Sequence, residues 1–157
     1  SFAQAPCYAG QTIAEGCTFV GGLSARQNLN GASLSVAPKW TGNFGVGYDT
    51  PVGDGFKFGV NVDARYSGSY LASGFGNPDS LQGKYALLDA GLRFGAEDDN
   101  WTIALIGKNL TNKFYVSGVV DGPSTGSASG GVTGLHADQL GFGNVPRTVQ
   151  LQVTKSF

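Results

Sequence analysis

Over residues 38–108, and again over 148–157, apolar and polar side chains alternate, the period of a strand with one face buried and the other wet. The first run sets Trp40, Phe44, Val46 and Tyr48 at even positions against Lys39, Thr41, Asn43 and Asp49 at odd ones. Asp49 to Gly55, with its Pro and two Gly, predicts a turn. In the second run Phe56, Phe58, Val60, Val62, Ala64, Tyr66 and Tyr70 share one face, and Lys57, Asn61, Asp63, Arg65, Ser67 and Ser69 the other. A strand over 56–70 is long for a soluble sheet. Residues 71–83 carry Gly, Asn-Pro and Ser and read as a loop. A third strand over 85–95 sets Leu88, Ala90, Leu92 and Phe94 against Asp89, Gly91 and Arg93. An acidic turn, Glu97 to Asn100, returns the chain along Trp101, Ile103 and Leu105. After Gly107 the parity is lost, which fits either a bulge near Lys108 or the strand leaving its apolar surroundings. In the last run Val149, Leu151, Val153 and Phe157 oppose Thr148, Gln150, Gln152, Thr154 and Ser156.

No segment shows the 3.6-residue period of an amphipathic helix, so the chain is predicted to be all-β. Its 26 glycines concentrate the remaining length into loops, of which 1–37 and 116–144 are the longest. Long and short connections therefore alternate along the chain. That rhythm predicts an antiparallel up-and-down transmembrane β-barrel, with short periplasmic turns and long extracellular loops. Roughly five strands are expected, too few to close a barrel, since an open edge in lipid leaves backbone groups unpaired. Residues 1–37 are read as an extracellular loop and 38–157 as barrel strands and their loops. Tyr48, Phe56, Phe94, Trp101 and Phe157 are expected in a periplasmic aromatic girdle, with Trp40, Tyr66, Tyr70 and Tyr115 in an outer one. Asp63, Arg65, Asp89 and Arg93 then fall on the lumen-facing side. They are read either as a charge ladder toward a plug or substrate, or as cross-strand pairs on a solvated face.

Net charge is −1, without the basic field that phosphate backbones require, so nucleic acid is not an expected partner. A run of ~18 apolar residues is absent, which excludes a spanning helix; a spanning strand needs only ~9–11 residues, half of them apolar. The chain begins at Ser1 with no methionine and no charged-then-apolar leader, and is read as a processed chain or, preferentially, a fragment. Cys7 and Cys17 are its two cysteines, lying close together in a stretch little else holds in shape. A disulfide there predicts an oxidising compartment; two free thiols or a metal site are the alternatives, the latter short of ligands. His136 and Asp138 are too few for a metal and are read as part of a solvated loop. No nucleophile, base and orienting group assemble around the one histidine, so no catalytic residue, metal or cofactor is expected.

Asn109, Leu110, Thr111, Asn112, Lys113 and Tyr115 follow the fourth strand, and Pro146, Arg147 and Thr148 open the last one, which ends on Phe157. In order and spacing this resembles the C-terminal end of the TonB-dependent outer-membrane receptors. The resemblance implies active import of a scarce nutrient, such as a ferric siderophore, across the bacterial outer membrane. Implied partners are the remainder of the barrel and its plug, the TonB complex acting through a more N-terminal part, outer-membrane lipid, and the barrel assembly machinery. The last would read the terminal strand at Phe157, which by its residues alone is equally a girdle aromatic. The alternative reading is a non-transporting bacterial surface β-domain, an adhesin or binding module.

Overall fold

The computed structural model describes residues 4–20, 24–126 and 134–156, and Phe157 lies outside them. Its strands, in chain order, are β1 (Gln4–Pro6), β2 (Thr18–Val20), β3 (Ser24–Asn28), β4 (Thr41–Val52), β5 (Phe56–Ser67), β6 (Tyr70–Leu71), β7 (Leu81–Gln82), β8 (Tyr85–Ala96), β9 (Trp101–Lys108), β10 (Val116–Asp121), β11 (Gln139–Gly143) and β12 (Thr148–Lys155). They divide between two compact units, one formed by Trp40–Gly68, Lys84–Phe114 and Val145–Phe157 and the other by Ser1–Lys39, Ser69–Gly83 and Tyr115–Asn144.

The first of these units is one antiparallel sheet of five strands in the order β12-β9-β8-β5-β4. Its registers put Val46, Val62 and Ala90 side by side, and likewise Phe58, Phe94, Ile103 and Val153, so every even position of β5 shares a face with its predicted apolar partners. That face is open. Phe44 is 69% exposed, Val46 54% and Leu151 71%. Near the tight turns Phe56, Phe94 and Trp101 gather on it, with ring centroids 5.7–6.1 Å apart. Among the described residues the sheet is not closed: β4 and β12 are its edges.

Three expected boundaries shift. β4 continues through the stretch expected to turn, because Val52 still pairs with Phe56; the connection is only Gly53, Asp54 and Gly55, whose two glycines take the positive φ of 61° and 82° that such a tight return needs. β5 ends at Ser67, and Gly68 N–H donates the final bond of that edge to the Trp40 carbonyl. Tyr70 therefore belongs to a separate pair, β6 with β7, where it is 6% exposed and its O–H donates to the Val116 carbonyl at 2.7 Å. It is not an outward girdle residue. The lost parity after Gly107 is the end of β9: its pairing with β12 runs without a shift from Trp101 to Lys108, and Asn109 then takes a left-handed φ of 49°.

The second unit shows that the long loops carry structure. Residues 1–37 include the sheet β1-β3-β2, the expected loop at 71–83 contains a 3-10 turn at Pro78–Ser80, and 116–144 contains the hairpin β10–β11. Little apolar bulk is buried here; the interior includes Tyr8, Cys17, Tyr70, Gln27, Ser73 and Asn77. Polar groups inside call for partners, and Gln27 and Asp121 gather several of them. Gln27 Nε2 donates to the Pro6 and Phe75 carbonyls, both at 2.7 Å, and its Oε1 accepts from Gln11 Nε2. Asp121 accepts from Ala9 N–H at 2.9 Å, Gln139 Nε2 at 2.6 Å and Asn77 Nδ2 at 3.4 Å.

Candidate functional site

On the other face of the five-stranded sheet, large polar side chains lie over glycines of the neighbouring strand. A Cβ on Gly45 would stand 2.8 Å from Asp63 Oδ1, and one on Gly59 or Gly91 would collide with Asp49 or Asn61. Glycine at these positions lets charged groups lie flat across the sheet. Arg93 reaches over Gly59 in this way to pair with Asp49.

Asp89 is the centre of this face. Only 5% exposed, it sits directly opposite Asp63 in the register. Its Oδ2 accepts from Arg65 Nη2 at 3.1 Å and Lys108 Nζ at 3.2 Å, while Oδ1 accepts from the Asn109 backbone N–H at 2.8 Å. Two cations and a backbone donor thus surround one buried carboxylate, each through a charge-assisted hydrogen bond. The cations themselves remain more than half exposed and face a cavity of about 470 Å³ that Asn43 and Asp63 also line. A second hollow, about 380 Å³, is bounded by Asp49, Asn61, Arg93 and Ile106. Chemically, the face offers charged and amide groups to a polar occupant. Of the four charges read from the sequence, Arg65 and Asp89 meet, whereas Arg93 pairs with Asp49 and Asp63 accepts a long bond, 3.4 Å, from Asn61. Lys108 and Asp49, outside that set, complete these pairs. Lys108 stands where parity fails, and the even positions of β9 join the odd positions of β8 only through the pairing.

The Asn-Leu-Thr-Asn-Lys segment folds against the same centre. Asn109 Nδ2 donates to the Lys113 carbonyl at 2.9 Å and the Val145 carbonyl at 3.2 Å, and its Oδ1 accepts from Lys113 N–H at 3.0 Å. Leu110 N–H donates to the Leu88 carbonyl and Thr111 Oγ1 to the Ala86 carbonyl, tying the segment to β8. Asn112, also at a positive φ of 49°, accepts from Arg147 N–H at 3.4 Å. Tyr115, in the other unit, donates its N–H to Asn144 Oδ1.

In that other unit Cys7 and Cys17 form a disulfide, their Cα atoms 5.9 Å apart. It closes the loop that Glu15 also braces, accepting from both the N–H and the Oγ1 of Thr12. The Thr12 backbone bond, followed by the hydroxyl bond, holds the Glu15 carboxyl below its ordinary range, and burial raises the nearby Tyr8 phenol. Intact mass should rise by two hydrogens on reduction, and a protease of broad specificity should then cut the 7–17 loop faster; an unchanged mass would show free thiols. The loop-entropy contribution is roughly 2–3 kcal/mol. His136 is not the solvated loop residue expected from its surroundings. It packs edge-on against Tyr8, centroids 5.5 Å apart, and its Nδ1 pairs with Asp79; Asp138 is elsewhere, its N–H donating to Thr125 Oγ1.

Compared with known proteins, the chain matches one family model, TonB dependent receptor-like, beta-barrel, over residues 9–110, well over half of its 157 residues. Neither the curated proteins nor the solved structures include a match. The matched stretch takes in β4, β5, β8 and β9 with Asp63, Arg65, Asp89, Arg93 and Lys108, and ends at Leu110 inside the Asn-Leu-Thr-Asn-Lys segment. The family is one of bacterial outer-membrane transporters rather than enzymes. An all-β antiparallel fold with an open apolar face and a match of this extent make the chain a member of the TonB-dependent receptor β-barrel family.

Proposed function

We propose that this chain forms part of the wall of an outer-membrane importer that takes up a scarce nutrient, such as a ferric siderophore, with energy from the TonB complex. The observation that carries the reading is the inversion of the two sheet faces. Large apolar side chains such as Phe44 and Leu151 are exposed, while Asp89 and Gly91 on the opposite face are buried. Water penalises the first arrangement and a hydrocarbon surround rewards it, so the even face of β5 meets lipid and the odd face meets the lumen. Asp63, Arg65, Asp89 and Arg93 then line the lumen and address a plug or a passing substrate. The loops 1–37 and 116–144 lie outside the cell, where an oxidised Cys7–Cys17 pair persists.

The open edges of β4 and β12 require further strands, because unpaired backbone in lipid costs several kcal/mol per group. Those strands, the plug and the TonB-contacting segment are supplied by the rest of the receptor. Uptake by the native protein tests the transport reading. Under iron limitation, cells lacking the gene should lose accumulation of labelled ferric siderophore, and collapse of the proton-motive force should abolish it in complemented cells. Uptake that persists without the force would replace the importer with a passive pore.

A further inference from the structure

The strand pair at the β12 side of the sheet has no local device to set its register. A hairpin gets its register from its turn, but β9 and β12 are separated by residues 109–147, which form strands of their own. Nor does the binary pattern decide. A slip of one residue would turn Val149, Leu151 and Val153 to the polar face, yet a slip of two keeps every apolar side chain on its face. Those three residues are 63–71% exposed and so make few contacts that would tell one even register from another.

The Asn109 segment supplies what is missing. It is fastened to β8 by three bonds, Asn109 N–H to Asp89, Leu110 N–H to the Leu88 carbonyl and Thr111 Oγ1 to the Ala86 carbonyl. From that fixed platform the Asn109 and Asn112 side chains reach the incoming chain, at the Val145 carbonyl and the Arg147 N–H. Thr148, the next residue, is the first to pair, with Lys108. At the far end a backbone bond from Ser156 to Asn100 continues the ladder without side-chain selection. Both asparagines hold positive φ, a conformation that Asn tolerates far better than most residues, which places their amides where the bonds form.

We infer that Asn109 and Asn112 are positioning residues that clamp β12 in register on β9, and thereby set the register offered to the strand that pairs with β12's outer edge. This rests on the proposal that the sheet is completed by further strands. In a barrel the strand stagger fixes both tilt and diameter, so an error of two residues here is carried into closure.

Cysteine pairs on the exposed face read the register directly in the native outer-membrane protein. With otherwise native sequence, Leu105→Cys with Leu151→Cys should cross-link under copper-phenanthroline, and Ile103→Cys with Leu151→Cys, two residues out of register, should not. Adding Asn109→Ala and Asn112→Ala should cut the first cross-link at least threefold and raise the second or the Leu105→Cys with Val153→Cys pair by a similar factor. If the double alanine variant folds poorly, Asn109→Asp at neutral pH keeps the acceptor for Lys113 while losing the donor to Val145, and should show the same redistribution. An unchanged cross-link pattern in folded protein, whatever its thermal stability, would overturn the clamp. Because the readout is a contact within this chain, it is independent of what the receptor transports.

Discussion

Replacing Asp89 by alanine is expected to remove most of the folded protein from the outer membrane, by a loss of about 2–4 kcal/mol. The cost does not come chiefly from the ion pairs. Arg65 and Lys108 are 61% and 58% exposed at their side chains and rehydrate when the carboxylate goes, so each pair is worth about 0–1 kcal/mol. The larger part is the Asn109 backbone N–H, which is buried with its residue at 7% exposure and would lose its acceptor. A hydrogen bond to a charged acceptor contributes about 1.5–3 kcal/mol, and an orphaned buried donor costs about 1–3 kcal/mol. Asp89→Asn keeps an oxygen for that N–H and should lose less than half as much. Asp63→Ala, at an exposed position, should stay within about 0.5 kcal/mol. The folded fraction is read on gels from the heat-dependent mobility of an intact barrel, with urea midpoints for the energies. Equal losses from the alanine and asparagine variants would shift the explanation from the N–H to the charge.

A second large effect separates the two faces. Val62 is central in β5, flanked by Val46 and Ala90 on the apolar face, while its neighbour Asn61 lies on the polar face over Gly91. Val62→Arg should destabilise the membrane-inserted protein by about 2–4 kcal/mol, the cost of a guanidinium on a lipid face near the bilayer midplane. Asn61→Arg should be tolerated, since the charge would face water or polar side chains. Refolding into vesicles followed by urea titration measures both. Comparable losses at 61 and 62 would deny that one face meets hydrocarbon, and with it the placement of the odd face toward a lumen.

Much of the sheet was legible because its long strands obey a period of two over many residues. The five strands of the main sheet, the acidic return at Glu97 to Asn100 and the separation of Val60 and Val62 from Asp63 and Arg65 all follow from parity. Strands of two to six residues carry too few positions to show a period, which is why β1–β3 and the β10–β11 hairpin stood inside expected loops. Tyr70 departs from parity for a related reason: Ser67, Gly68 and Ser69 do not contradict an even-position pattern, so alternation runs smoothly over the point where the chain leaves the sheet. His136 looked solvated among glycines and small residues, yet Tyr8 and Asp79, distant in sequence, hold it.

The amino-acid sequence by itself determined the all-β class, the two faces of the main strands and the family. Each of these depends on local order, parity or residue count, which a linear reading contains. Only the tertiary structure decided that Arg65, Lys108 and Asn109 converge on Asp89, that Arg93 turns instead to Asp49, and that Asn109 and Asn112 bind the chain entering β12. Those contacts depend on register between strands far apart along the chain, and alternation leaves every even register equivalent until backbone pairing and specific side-chain bonds select one.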